Sequence, residues 1–587
     1  MKRLLIVLLS VLGGIVFLLA AGLLLFWMAR AVARPGVSGK TVLEVDFESG
    51  MIEYVPDDPF AAYSLKGTST VLDRVLALRR AASDDRVVGL LARVGAGGMG
   101  MAQTQEMRDA VLAFRESGKF AVAYSETLGE MGPGNGGYYL ATAFDEIFLQ
   151  PTGDLGLTGI ALEHPFVRGT LDKLGIVPRM DHRYEYKNAM NFYTETSFTE
   201  PHREAMARMI ESWFGQMVDG IAEARGLTPE EVRGLVDRGP FLGQEALAEG
   251  LVDELLYRDE VYDRVKERAG GDPDFLSLSA YQERSGMDGG WGPNIALIYA
   301  VGAIHRGNNG YDPLSGEVSM GSDSVARAIR SAVEDDSVRA ILLRVDSPGG
   351  SFVASDTIWR EVRNAEEAGT PVVISMGNAA ASGGYYIAMG AKRIIAQPGT
   401  LTGSIGVLAG KMLTRDAWNK IGLTWDSVQT SRNADIWSSL EDYTPEQWDR
   451  FEASLDRIYD EFTRKVAASR EMPLEEVQEV ARGRVWTGED ALDRGLVDAL
   501  GGFDDAIAMA KEAAGIEPDG SVRLKRFPKE RSTFELLMEA FEGARTTQSV
   551  VLELMERIQP AAREVQQVTL GPARYGVLTM PPIEETP

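Results

Sequence analysis

Two halves of this chain repeat each other in order, and that constrains its fold more than any other feature. An apolar run at 87–94 ends in Arg93-Val94, and one at 338–345 ends in Arg344-Val345. Each follows a helical stretch closed by two aspartates, Asp84-Asp85 and Asp335-Asp336. Each leads into a small-residue turn, Gly95-Ala96-Gly97-Gly98 and Ser347-Pro348-Gly349-Gly350. Tyr138-Tyr139 answers Tyr385-Tyr386, and Asn135 precedes Pro151 by 16 residues, as Ser382 precedes Pro398. Gly250-Leu251-Val252-Asp253 answers Gly495-Leu496-Val497-Asp498. So many ordered matches mean one domain duplicated. Within each copy strand-like runs alternate with helical stretches, which predicts an α/β fold with a mainly parallel sheet and helices packed on it.

The duplication divides the chain into a first repeat at 40–268, a glycine-rich linker at 269–293 and a second repeat at 294–520. At the start, Lys2 and Arg3 precede an uncharged apolar run over 4–29. That exceeds the roughly 20 residues needed to span a bilayer and the about 7–15 of a secretory signal. Residues 1–34 are therefore expected to be an uncleaved transmembrane anchor, the competing reading being cleavage after Ala31-Val32-Ala33. Residues 521–587 are expected to hold a packing helix near 534–558 and a proline-rich tail. The net charge of −26 argues against a nucleic-acid surface. The absence of cysteine excludes disulfides, thiol catalysis and Cys-ligated metal.

Differences between the copies point to chemistry. Ser382 lies in a small-residue turn, Ala381-Ser382-Gly383-Gly384, between an apolar run and a helical stretch. That is how α/β hydrolytic folds present a serine hydroxyl. The first copy carries Asn135 there, and an amide cannot be an acyl nucleophile. Conversely, Tyr186-Lys187-Asn188-Ala189 aligns with Ser431-Arg432-Asn433-Ala434. A buried lysine can act as a general base, whereas arginine stays charged. The complementary pair is Ser382 with Lys187, a Ser–Lys variant of the triad logic. The four histidines, His164, His182, His202 and His305, lie outside the second copy's motifs, and His305 reads as a solvated strand end.

Asp346-Ser347-Pro348-Gly349-Gly350-Ser351, Ala381-Ser382-Gly383-Gly384-Tyr385, Leu401-Thr402-Gly403-Ser404-Ile405-Gly406 and Tyr186-Lys187-Asn188-Ala189 together resemble the signal peptide peptidase A (protease IV) family in its long, duplicated form. The resemblance implies a Clp-protease/crotonase-like fold in each repeat, with Ser382 as nucleophile, Lys187 as base and Ser404 orienting the lysine amine. It implies a single-pass inner-membrane protein with its catalytic part on the extracytoplasmic side. It also implies bowl-like homo-oligomers that degrade cleaved signal peptides. No cofactor or metal is expected. The oxyanion is expected to lie on the backbone N–H groups of Gly383, next to the nucleophile, and Gly350, at the end of its turn. The first copy has Leu157 where Ser404 stands. Two rival readings are a crotonase-type thioester hydrolase or isomerase, and a non-enzymatic membrane scaffold.

Overall fold

The computed structural model describes residues 36–65, 67–285, 292–529 and 578–579. The apolar run at 4–29 and the helix expected near 534–558 lie outside these residues. Among the described residues no helix is long and apolar enough to cross a membrane.

Each repeat is built on a parallel sheet. Across the first, the strands run Glu254–Leu255, Glu146–Leu149, Phe120–Ser125, Val87–Arg93, Thr41–Asp46 and Asp274–Ser277. Across the second, the matching series is Ala499–Leu500, Arg393–Ala396, Val372–Ala381, Val338–Ser347, Asn294–Val301 and Arg523–Phe527. Strand corresponds to strand in the same order, all parallel. The equivalence reaches single contacts. Tyr138 donates its hydroxyl to the Leu251 carbonyl at 2.8 Å, and Tyr385 to that of Leu496 at 2.9 Å. The Ile147 and Ile394 N–H groups donate to Asp253 and Asp498, each at 2.7 Å.

The central strands are almost wholly apolar because helices cover both faces of a parallel sheet. Val71–Ser83 packs against Met101–Glu116 in the first repeat, and Ser322–Val333 against Phe352–Glu367 in the second. Thr70 caps the first of these helices reciprocally with Asp73, satisfying donors that the first turn leaves free.

Two expectations change in detail. The strand leading to His305 is broken by Gly302, at φ +93°, where a Cβ would sit 2.0 Å from the Val318 carbonyl oxygen. Only glycine fits, and the break turns Ala303–His305 into a second small sheet beside Val318–Gly321 and Gly349–Gly350. His305 ends that strand half-buried, with Nε2 3.1 Å from Ser319 Oγ. The span read as linker, 269–293, contains the edge strand Asp274–Ser277 and the helix Leu278–Arg284. Residues 286–291 lie outside the described part.

The repeats bury a charged network between them. Arg344, on the strand Val338–Ser347, reaches Glu53 at 3.0 Å and Glu106 at 2.8 Å, and all three side chains are at most 3% exposed. Trp213 donates to the Gly399 carbonyl at 2.8 Å, and the Gly399 N–H donates to Gln105 at 2.7 Å.

Candidate active site

Ser382 stands between the strand Val372–Ala381 and the helix Gly383–Ala388. The second repeat prolongs this strand beyond its counterpart. Its last three residues pair with Leu401–Gly403, and the Ser382 N–H donates to the Gly403 carbonyl at 2.8 Å. That pairing aligns the backbones leading to Ser382 and Ser404. Both serines have positive φ, +55° and +49°. Such a conformation costs a residue with a Cβ about 1–3 kcal/mol and persists only where its surroundings impose it.

Lys187 arrives from the other repeat. The strand Val177–His182 crosses onto the second repeat and pairs antiparallel with Leu408–Leu413 over six residue pairs. Leu171, Ile176 and Met180 pack there with Leu408 and Met412. Past this strand, the Tyr186 N–H donates to the Arg482 carbonyl at 3.2 Å. Gly483 lies over the lysine backbone, where a Cβ would be 2.4 Å from the Lys187 nitrogen. Tyr184 and Arg482 also have positive φ, so the segment carrying the lysine and the one above it are both bent sharply here.

The lysine amine ends 2.8 Å from Ser382 Oγ, 2.9 Å from the Ser404 carbonyl oxygen and 3.0 Å from Ser404 Oγ. All three side chains are fully buried. Burial pushes the Lys187 pKa well below its ordinary value. The three oxygens match the three N–H donors of an ammonium, and they also fit the neutral amine that burial favours, with two N–H donors and one lone pair. In the neutral form the two donors can go to the Ser404 carbonyl and hydroxyl, which leaves the lone pair facing the Ser382 hydroxyl. Arg432, the counterpart of Lys187 in the second copy, is exposed.

Gly383 and Gly350 meet beside Ser382. A Cβ on Gly383 would lie 3.0 Å from the Gly350 nitrogen, and one on Gly350 would lie 2.2 Å from the Ile304 carbonyl oxygen. Glycine at both positions keeps this approach open. The turn is held by Ser347, whose hydroxyl donates to the Gly302 carbonyl at 2.7 Å and accepts the Gly349 N–H at 3.1 Å. Gly349 and Gly350 also pair antiparallel with Thr579 and Leu578, so this edge accommodates an extended chain. Phe352 and Met376 are buried in the core of the second repeat.

Sequence reasoning missed the segment Arg482-Gly483-Arg484 above the lysine. A glycine between two arginines, shortly before the duplicated Gly495-Leu496-Val497-Asp498, was the available signal. It also missed Asp346, whose carboxylate accepts the Ala379 N–H at 2.9 Å and so ties the strand Val338–Ser347 to the one leading to Ser382.

A parallel α/β unit written twice, with a strained serine at the end of one extended strand, defines a class of duplicated α/β serine hydrolases. Comparison with known proteins makes this specific: the chain belongs to peptidase family S49, whose model matches twice, over residues 113–271 and 364–517. It is a serine peptidase of that family. A chloroplastic serine protease SPPA of Arabidopsis thaliana is 35% identical over 454 residues, 76% of this chain and just under two thirds (66%) of the plant protein. Protease 4 of Salmonella typhi is 32% identical over 505 residues, 84% of this chain and 79% of that one. Protease 4 of Haemophilus influenzae is 29% identical over 470 residues, 77% of this chain and 74% of its own. Membership in this family sets aside both rival readings, the thioester enzyme and the scaffold.

Proposed function

We propose that Ser382 and Lys187 form the catalytic dyad of this peptidase and cleave peptide bonds through an acyl-enzyme. The observation that carries the reading is the 2.8 Å contact between Lys187 Nζ and Ser382 Oγ inside a fully buried pocket. Neutral Lys187 takes the hydroxyl proton as Ser382 Oγ bonds to the substrate carbonyl carbon. The tetrahedral oxyanion receives the N–H groups of Gly383 and Gly350. The lysine ammonium returns its proton to the leaving amine, and water then hydrolyses the ester by the same route. Ser404 orients the amine through its hydroxyl and its carbonyl. The substrate lies as an antiparallel strand along Gly349–Gly350, a geometry supported by the pairing of this edge with Leu578–Thr579.

On this reading 40–268 and 294–520, their sheets completed by the edge strands Asp274–Ser277 and Arg523–Phe527, are two Clp-protease/crotonase-like units that each supply half of one site. Residues 1–34 anchor the chain to the inner membrane with the catalytic part outside the cytoplasm, where cleaved signal peptides and other apolar peptides are the substrates. Homo-oligomer formation is supported by the arm that follows Leu408–Leu413. Leu423, Trp425 and Val428 are exposed there, on the counterpart of the segment that carries Lys187 across the repeats. In the first repeat, 161–166, the counterpart of Leu408–Leu413, lies outside any strand. Docking such an arm onto 161–166 of a neighbouring chain is a head-to-tail contact of the kind that closes rings.

The test is a serine-reactive phosphonate probe followed by mapping of the modified residue. Modification at Ser382, lost in Lys187→Ala, is expected; modification at another serine overturns the assignment.

A further inference from the structure

The first repeat keeps a cavity where the second has its catalytic turn. Its volume is about 720 Å³, and Met99, Met101, Ile160, Leu162, Trp213 and Met217 give it a mainly apolar lining. Asn135, Gly136 and Gly97 also border it. Aligning Arg93-Val94 with Arg344-Val345 places Gly98 opposite Gly349, and both have positive φ, +115° and +104°. The turn has kept this left-handed glycine where the nucleophile is absent, while Met99 stands opposite Gly350.

Asn135 has become a backbone clamp. Its Oδ1 accepts the Thr158 and Gly159 N–H groups, each at 3.0 Å, and its Nδ2 donates to the Gly159 carbonyl at 2.9 Å. The amide thus holds one wall of the cavity and performs no chemistry. A Cβ on Gly97 or Gly136 would meet nothing within 4 Å, so open space lies directly against the backbone. The opposite wall belongs to the interface between the repeats. Trp213 is fixed to Gly399, two residues before the strand Leu401–Gly403 that pairs with the one leading to Ser382. The cavity is thus continuous with the scaffold of the catalytic site.

We propose that this cavity is a non-catalytic binding site for an extended apolar peptide, holding one stretch of a substrate chain or product while another is cut at Ser382. The occupant is argued from the duplication. In the second repeat the equivalent glycine edge is paired with an extended strand. In the first, Met99 takes the place of Gly350 and lines the cavity with Met101 and Met217, and such flexible, polarisable side chains adapt to varied apolar residues. The inference rests on the peptidase reading for the identity of the peptide, and its test is separable from that reading.

The experiment uses the full chain with Ser382→Ala, which cannot turn the probe over. The probe is a leucine- and valine-rich decapeptide carrying a photoreactive diazirine. Cross-links to the cavity lining, Met99 and Met217 among them, are expected. Gly136→Trp and Gly97→Trp fill the cavity from two sides, and each is expected to lower the peptide bound per chain by one equivalent at saturation. No cross-link in the cavity, or unchanged stoichiometry in both folded variants, overturns the proposal. Hydrolysis of the same decapeptide by the unmodified chain tests the peptidase reading independently. Cavity cross-links without hydrolysis would leave the binding site standing and remove such apolar peptides as substrates of Ser382.

Discussion

Lys187 and Ser382, 195 residues apart, meet at 2.8 Å because an arm of one repeat is laid as a strand on the other. A general base contributes about 10²–10⁴-fold to such reactions, so Lys187→Ala is expected to lower kcat by that order while the protein stays folded. Lys187→Arg should do no better, since a guanidinium does not give up its proton. Steady-state kinetics with circular dichroism as a folding control checks both, and near-normal turnover in Lys187→Ala rules out the dyad.

The depressed lysine pKa has consequences in pH. The base works only when neutral, so kcat/KM is expected to be lost as pH falls through the depressed value and to be flat above it. That limb should lie well below the about 10.4 of a free lysine. The sign for stability follows from the same shift. Because the folded pKa is below the unfolded one, the unfolded chain binds more protons between the two values, and stability rises with pH across that window. Lys187→Met removes the cost of giving up the ammonium proton on folding. It is expected to raise Tm at pH 7, with the gain shrinking as pH approaches about 10. A Tm gain that does not vary with pH would contradict this.

Ser404 contributes two acceptors, and only one is a side chain. Ser404→Ala leaves the carbonyl at 2.9 Å and removes the hydroxyl at 3.0 Å. A single neutral hydrogen bond is worth about 0.5–1.5 kcal/mol, so a fall in kcat of about 2- to 13-fold is expected, far less than for Lys187→Ala. The acid limb should move to lower pH, because a hydrogen bond from the amine is stronger when the amine is charged. A kcat loss equal to that of Lys187→Ala would mean that Ser404 takes part in proton transfer directly.

How much of this was legible depended on whether a second copy existed to compare. Ser382 in a small-residue turn is ambiguous alone, and Asn135 in the matching turn resolves it. Lys187 against Arg432 works in the same way. Legibility failed where a role depends on partners remote in sequence. Glu53 lies in a polar stretch after the first strand and reads as loop, yet it faces Arg344 from 291 residues away. The strand Asp274–Ser277 has only four residues and follows Gly270-Gly271-Asp272-Pro273, so its local signal is that of a turn. Only its pairing with Thr41–Asp46 makes it a strand. Positive φ at serine has no local sequence signature either, since it is imposed by the ladder between Ala379–Ala381 and Leu401–Gly403.

Arg344 provides the sharpest test of how the repeats are held. Its guanidinium faces Glu53 and Glu106 with almost no solvent, and it lies over the Phe503 ring at 4.2 Å. Burial pushes Glu106 up to about 7, even with the arginine beside it. Arg344→Met leaves two buried carboxylates without a counter-charge, and breaking a buried pair in this way costs about 3–5 kcal/mol. With the cation gone, the Glu106 carboxyl rises further and accepts a proton in the folded state. The loss should therefore be greatest at alkaline pH and smaller near pH 5, where Glu106 is protonated. Replacing all three, as Arg344→Met with Glu53→Gln and Glu106→Gln, is expected to recover much of the stability in urea titrations. Activity discriminates further. Lys187 comes from the repeat that holds Glu53 and Glu106, whereas Arg344 lies on the strand that leads to Gly349 and Gly350. Loosening this contact is expected to lower kcat more than it raises KM, because it separates base from nucleophile without touching the peptide-binding edge. A variant with 3 kcal/mol less stability and unchanged kcat would show that the arm Val177–His182 positions the lysine without help from the buried charges.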